Sequence, residues 1–168
     1  MRRILSALGL LLGLLVAPAF AETLPAPKGE AVLTVSGDIV RTNAGDTAVF
    51  DMEMLTAMPA ISFETTTLWT EGVKTFKGVA LADILDMVGV QDGTIRALAI
   101  NDYAVEIPVD SLTASTPIVA YEMDGAPMPR RQKGPLWIVY PYDSDVAYQT
   151  EVIYSRSIWQ LDRLVIQK

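Results

Sequence analysis

One stretch of the sequence restricts the fold more than any other. The run "GPLWIVYP" at residues 134–141 is almost continuously apolar and has the length of a single β-strand. Glycine and proline at its ends mark where the strand begins and stops. A run of this kind predicts a strand that is covered on both faces, rather than a strand with one solvent-exposed face. The chain must therefore supply neighbouring strands and apolar layers around it.

The first half of the remaining sequence predicts short strands and short helices between turn signals. "AVLTVSGDI" alternates apolar and polar residues and predicts a strand that enters a hairpin. "TAVFDMEMLTAMP" predicts a strand end and a helix that is capped by Asp51 and ends before Pro59. "ISFETTTLWTEG" is rich in threonine and predicts another strand. In "VALADILDMVGV" the apolar residues recur at helical spacing and the helix ends at Gly89.

The second half continues in the same way. "TIRALAI" and "YAVEIPV" flank Asn101 and Asp102, which predicts a hairpin, and "VDSLTAS" predicts a brief helix. "IVAYEMDGAPM" predicts a strand that turns at Asp124, and "TEVIYSRSIWQLDRLVIQ" predicts a strand, a short turn and a closing strand. Short strands with interspersed short helices indicate the α+β class.

The N-terminus predicts export from the cytoplasm. Arg2 and Arg3 precede an apolar run from residue 4 to residue 16 and a small-residue site that ends at Ala21. This is the pattern of a cleaved signal peptide at residues 1–21, and it leaves residues 22–168 as one domain. We expect a secreted, periplasmic protein with no membrane span after cleavage. The predicted mature chain has 11 basic and 20 acidic residues, and its net charge of −9 argues against a nucleic-acid partner.

Two residue types that carry much of enzyme chemistry are absent from the sequence, which contains neither cysteine nor histidine. The chain therefore has no thiolate nucleophile, no Ser-His-Asp triad, no histidine-ligated haem and no zinc-thiolate site. Met52, Met54 and Met58 could offer soft thioethers to copper(I), but the spacing of Met54 and Met58 on one helical face favours core packing. Asp143 and Asp145 fall far short of a calcium site.

A cationic turn and scattered aromatic residues are the remaining candidates for a site. Arg130, Arg131 and Lys133 precede the buried strand, and such a cluster is either a solvated turn or the rim of a pocket. Aromatic residues at strand ends or beside turns could line a cleft, although each alone could equally be a core residue. These aromatic residues are Trp69, Tyr103, Tyr140, Tyr142 and Trp159.

Four segments in order resemble the sulfite oxidase-type molybdopterin-binding domain. They are "FKGVALADILDMVGV", "NDYAVEIPVDSL", "IVAYEMDGAPMPRRQKGPLWIVYP" and "SIWQLDRLVI", and the similarity runs from about residue 31 to residue 166. The resemblance implies a mixed, barrel-like β-sheet fold with short peripheral helices. It also implies that catalytic members hold molybdenum through a pterin dithiolene and one cysteine thiolate, in a segment just ahead of the "F-x-G" motif.

This sequence departs from the family pattern at that ligand. The cysteine's place falls near residues 65–67, where all three residues are threonine, and an arginine and a lysine of the pattern are replaced by Trp137 and Ile158. The resemblance implies that exported members carry the cofactor through a twin-arginine pathway, whereas this apolar leader is typical of unfolded export. We therefore expect no cofactor, with molybdopterin held without a thiolate as the alternative.

The prediction that follows is a binding role rather than catalysis. We expect a small anionic or planar ligand, or a periplasmic or membrane-bound signalling or redox partner, to occupy the vacated cleft. The alternatives are a molybdopterin-dependent oxidoreductase without a cysteine ligand and a purely structural accessory subunit. By the resemblance, the residues that border the cleft are Thr66, Trp69, Tyr103, Arg130, Lys133, Tyr142 and Arg156.

Overall fold

Residues 23–168 fold into two β-sheets and three short α-helices. The computed structural model describes residues 23–168, and the predicted signal peptide at residues 1–21 lies outside the described residues. The elements are β1 (Ala31–Gly37), β2 (Ala48–Asp51), α1 (Met52–Ala57), β3 (Ala60–Thr65), β4 (Lys74–Ala80), α2 (Leu81–Val88), β5 (Thr94–Ala99), β6 (Ala104–Pro108), β7 (Ile118–Met123), β8 (Ala126–Pro127), β9 (Trp137–Val139), α3 (Glu151–Ser155) and β10 (Leu161–Gln167). Three single-turn 3₁₀ helices lie at Val109–Ser111, Tyr142–Ser144 and Val146–Tyr148.

The first sheet has the strand order β2-β1-β10-β5-β6. Its strands pair antiparallel except β1 and β10, which run parallel. The second sheet has the order β3-β4-β7-β8, and β9 pairs with β7. One apolar core contains buried residues of both sheets and of α2. The structure confirms the α+β class. The expected barrel-like sheet is not formed, because the strands of residues 23–168 form two separate sheets and no closed barrel.

The buried strand predicted from "GPLWIVYP" is β9. Trp137, Ile138 and Val139 have no exposed surface. One edge of β9 pairs with β7, and on the other edge the Ile138 N–H donates to the Ile158 carbonyl at 2.9 Å. Both edges and both faces are therefore covered, because β9 lies between β7 and the segment that leads into β10.

Local sequence signals fix the helix ends. The Asp51 carboxylate accepts the Met54 N–H at 2.8 Å and caps α1. Gly89 ends α2 with a φ of 79°, a left-handed conformation that glycine adopts without steric cost. Met58 is buried, and Met52 and Met54 pack partly buried against the core, which agrees with the packing role predicted for these methionines.

One predicted strand is wrong. "TEVIYSR" forms α3 rather than a strand, and β10 is the strand predicted to close the chain. The β-branched Val152 and Ile153 favoured a strand in the sequence. Thr150 overrides that preference, because its hydroxyl accepts the Ile153 N–H at 3.3 Å and caps the first turn of a helix. Within residues 23–168 no helix combines the length and the apolar character needed to cross a bilayer.

Candidate functional site

A cavity of about 540 Å³ opens where the β5–β6 turn, α3 and the α3–β10 connection meet. We call it the aromatic cavity. Trp69, from the loop between β3 and β4, forms part of its wall. None of its lining side chains carries a charge. The lining residues are Trp69, Ala99, Asn101, Tyr103, Tyr154, Ser155, Ser157, Ile158, Trp159 and Gln160.

Aromatic rings build the wall of the aromatic cavity. The ring centre of Trp69 lies 5.5 Å from that of Trp159 and 6.2 Å from that of Tyr154. Trp137, which is fully buried, stands edge-on to Trp69 at 6.0 Å and to Trp159 at 6.1 Å. Tilted and edge-to-face pairs at these distances are the favoured aromatic geometries. The wall is therefore a packed extension of the core.

A buried hydrogen bond supports the cavity from behind. The Tyr142 hydroxyl donates to the Ser157 hydroxyl at 2.5 Å, and the Ser157 hydroxyl donates to the Ile153 carbonyl at 2.9 Å. Burial raises the pKa of Tyr142 well above its ordinary value of 10.0, so the phenol stays neutral and keeps its proton. The bond ties the 3₁₀ turn after β9 to Ser157 in the connection between α3 and β10.

Two amide side chains lie at the cavity, and each uses only one of its two polar atoms in a hydrogen bond. The Asn101 side-chain oxygen accepts the Tyr103 N–H at 3.2 Å within the β5–β6 turn. Gln160 has a φ of 54°, unusual for a residue with a Cβ, and its side-chain nitrogen donates to the Arg130 carbonyl at 2.7 Å. Among residues 23–168, the Asn101 amide nitrogen and the Gln160 side-chain oxygen have no hydrogen-bond partner.

The structure brings some of the predicted site residues to the aromatic cavity. Trp69 and Tyr103 line it, and Tyr142 supports it through Ser157. Lys133 lies beside its wall, with the ammonium nitrogen 4.6 Å from the Trp159 ring centre and 5.3 Å from that of Trp137. These distances allow cation–π contacts with both rings. Lys133 is thus engaged with the aromatic wall and does not itself line the cavity.

The other three predicted residues do not join them. Arg130 is exposed and lines a separate depression together with Arg163. Arg156 lies close enough to Tyr140 that its charge opposes the effect of burial, which raises the pKa of Tyr140 to about 12. Thr66 is exposed and absent from the cavity lining. The expected convergence of cations in one pocket is therefore not the observed arrangement.

The threonine segment at the place of the expected thiolate is tied to the turn after β9. The Thr66 N–H and hydroxyl donate to the Asp143 carboxylate at 2.5 and 2.8 Å, and the Asp143 N–H donates to the buried Thr65 hydroxyl at 3.1 Å. The Thr66 donors hold the pKa of Asp143 below its ordinary value of 3.8. Threonine hydroxyls do not ionise near neutral pH and are not soft donors, so this segment does not fit a molybdenum–thiolate bond. Residues 23–168 also contain no group of three acidic, cysteine or histidine side chains placed to bind a metal.

Several lining residues were not predicted as site residues. Tyr154 and Ser155 lie on α3, and both line the cavity. The sequence predicted a strand there, and neighbouring residues of a strand point to opposite faces. Asn101 was recognised only as a turn residue. The one usable signal was the cluster of tryptophan, amide and serine residues in "SIWQ", just before the closing strand. The missed lining residues are the aromatic and polar Asn101, Tyr154, Ser155, Ser157 and Gln160 and the apolar Ala99 and Ile158.

The fold and the threonine segment define a domain of the sulfite oxidase class in which a cysteine ligand is missing. Residues 40–144 match the family model described as oxidoreductase molybdopterin binding domain, and the chain belongs to that family. A search of curated proteins found no match to the chain. The matched residues include Trp69, Asn101 and Tyr103, whereas Tyr154 and Trp159 lie beyond them. Family membership therefore does not assign a function to the aromatic cavity.

A solved structure has the same fold. The sulfane dehydrogenase SoxCD from Paracoccus pantotrophus superposes with a TM-score of 0.59 at 17% sequence identity. The match covers 80% of this chain and 37% of that chain. At this identity the likeness establishes the fold alone, and the chain spans little more than a third of the length of that relative.

Proposed function

We propose that this protein is a cofactor-free member of its family and that it binds a small ligand in the aromatic cavity. The observation that carries the proposal is the cavity itself. Its volume of about 540 Å³ falls within the range of small-molecule sites, and aromatic walls with a few uncharged polar groups are typical of such sites. Because the wall rings pack on the core, the cavity is formed before any ligand arrives.

The chemistry of the threonine segment supports the cofactor-free part of the proposal. Thr65 and Thr66 already use their hydroxyls in bonds with the chain and with Asp143. No cysteine or histidine elsewhere in the sequence could supply the missing ligand. A family member that keeps its fold without a metal ligand can still use the fold for recognition, since fold and function are separable.

The apolar leader supports periplasmic export as part of the same proposal. The ligand-binding domain would then meet small molecules that enter the envelope, or transmit their presence to a signalling or redox partner in the membrane. Tyr103, 57% exposed at the cavity mouth, is a residue that both a ligand and such a partner could contact.

Metal and pterin analysis tests the cofactor-free state. Protein purified from its native compartment should contain molybdenum and oxidised pterin fluorescence far below one equivalent. One equivalent of both would contradict the proposal and favour the molybdopterin-dependent alternative.

A blocked cavity tests the binding role. Ser155 is exposed and lines the aromatic cavity, so Ser155→Phe places a ring in the space that a ligand would use. Ser111→Phe is the matched control, because both serines are exposed and donate to a backbone carbonyl three residues earlier. Native mass spectrometry should find a co-purifying small molecule on the wild type and on Ser111→Phe, and none on Ser155→Phe. Equal occupancy of all three proteins would contradict a ligand in this cavity.

A further inference from the structure

We infer that the aromatic cavity binds an uncharged, planar ring compound with acceptor oxygens at its edge, the chemistry of a quinone. This inference rests on the proposed binding function and specifies its ligand class. It follows from the charge of the cavity lining, from the shape of its wall and from the hydrogen-bonding capacity left on its polar side chains.

The cavity offers no countercharge to an ion. All ten lining side chains are uncharged, in a protein whose formal net charge is −7. The Lys133 ammonium is engaged with the rings of Trp137 and Trp159, and Arg130 lines a separate depression. Moving an ion out of water without a partner charge is strongly unfavourable. The uncharged lining therefore disfavours an anion, and the Lys133 ammonium, 4.6 Å from the Trp159 ring centre, disfavours a second cation at that ring.

The wall favours a flat ligand. Four aromatic side chains, those of Trp69, Tyr103, Tyr154 and Trp159, line one cavity, and none of them is fully buried. A planar ring can stack on such side chains or meet them edge-on, and each pair of this kind contributes about 0.5–1.5 kcal/mol beyond the area that it buries. A puckered, fully hydroxylated ring gains less from the same wall.

The unpaired groups of the lining include three that can only donate. Among residues 23–168, the Asn101 amide nitrogen and the two indole N–H groups of the lining have no protein partner. Within the same residues the Gln160 side-chain oxygen, which can only accept, is also unpaired, because the amide nitrogen of that side chain donates to the Arg130 carbonyl. The phenol hydroxyls of Tyr103 and Tyr154 can either donate or accept. A lining with three donor-only groups against one unpaired acceptor-only atom complements a ligand whose edge carries carbonyl oxygens.

The direct test compares three probes by nitrogen-15 NMR. Tetramethyl-1,4-benzoquinone is uncharged, planar and closed to amine addition; benzoate is planar and anionic; methyl glucoside is neutral and puckered. The chain contains three tryptophans, so the indole N–H signals of Trp69 and Trp159 can be followed separately from that of the buried Trp137. We expect the quinone to shift the two cavity signals with a Kd at least about tenfold below those of the other probes.

Paired variants locate the site. Asn101→Asp keeps the oxygen that accepts the Tyr103 N–H but replaces the free donor by a charged oxygen, and it should weaken quinone binding about tenfold. Gln91→Glu adds the same charge at an exposed position outside the cavity lining and should change the Kd by less than about twofold. Ser155→Phe should abolish the shifts. Quinone binding that is indifferent to both Asn101→Asp and Ser155→Phe would place the site elsewhere and overturn the inference.

The outcomes separate the ligand class from the binding function. If benzoate or methyl glucoside binds as tightly as the quinone and Ser155→Phe abolishes that binding, the quinone class is wrong and the binding role stands. If none of the probes binds, the quinone class is wrong. If in addition the native protein carries molybdopterin or no small molecule, the proposed function fails as well.

Discussion

The hydrogen bond between Tyr142 and Ser157 allows a quantitative test of how the aromatic cavity is supported. Both residues are buried, and the two hydroxyls are 2.5 Å apart. Tyr142→Phe removes the donor, but the Ser157 hydroxyl keeps its bond to the Ile153 carbonyl at 2.9 Å. Ser157→Ala removes the acceptor and leaves the Tyr142 hydroxyl buried without this partner. The two variants delete the same bond with different consequences.

The expected magnitudes follow from this asymmetry. Tyr142→Phe should lower the free energy of unfolding by about 0.5–1.5 kcal/mol, the net value of a hydrogen bond that leaves no buried group unsatisfied. Ser157→Ala should lower it by about 1–3 kcal/mol, because an orphaned buried hydroxyl retains its full desolvation penalty. The Ile153 carbonyl stays satisfied in both, since it also accepts the Arg156 N–H at 3.2 Å.

A double-mutant cycle measures the bond directly. Urea unfolding followed by far-ultraviolet circular dichroism gives the free energy of unfolding of the wild type, both single variants and the double variant. The double variant lacks the orphaned hydroxyl, so its loss should fall short of the sum of the single losses by about 1 kcal/mol. Additive losses, or a greater loss in Tyr142→Phe than in Ser157→Ala, would refute the reasoning.

Two further predictions concern acid stability and the methionine cluster. The pKa of Asp143 is lowered by its bonds from Thr66, and the pKa values of Asp51 and Asp124 are lowered as well. The unfolded chain therefore takes up protons at a higher pH than the folded chain, so the free energy of unfolding should fall as the pH drops through 3.8. Urea unfolding at several pH values should show a smaller fall for Asp143→Asn than for the wild type. An unchanged pH dependence would contradict it. Met54→Leu should cost less than about 1.5 kcal/mol by the same assay, as volume-conserving core changes do. Specific copper(I) binding that disappears in this variant would instead give Met54 a ligand role.

The fold could be predicted from the sequence wherever the signals were local. The Asp51 cap, the Gly89 helix end and the hairpin at Asn101 each depend on a few consecutive residues, and the structure confirms them. The prediction for Glu151–Ser155 was wrong, because the β-branched residues of this segment favoured a strand and only the Thr150 cap favoured the helix that forms. The long-range strand pairing within the first sheet, including the parallel pair of β1 and β10, carried no local signal.

The site could be predicted only in part for the same reason. Trp69 and Tyr103 were found because aromatic side chains at turns often line clefts, and both line the aromatic cavity. Arg130 and Arg156 were grouped with them by charge, but the charge of a side chain does not determine where it points. In the fold Arg130 lines a depression together with Arg163, and Arg156 lies near Tyr140, and neither neighbour is close in the sequence.

The position of β10 has a consequence for how the chain acquires its structure. This strand consists of residues 161–167, yet it lies in the middle of the first sheet between β1 and β5. While these residues are still inside a ribosome or a translocation pore, β1 and β5 have no strand to join them, and that sheet cannot assemble. The first sheet therefore stays incomplete until β10 is released, and a protease can attack the unpaired edges of β1 and β5 until then.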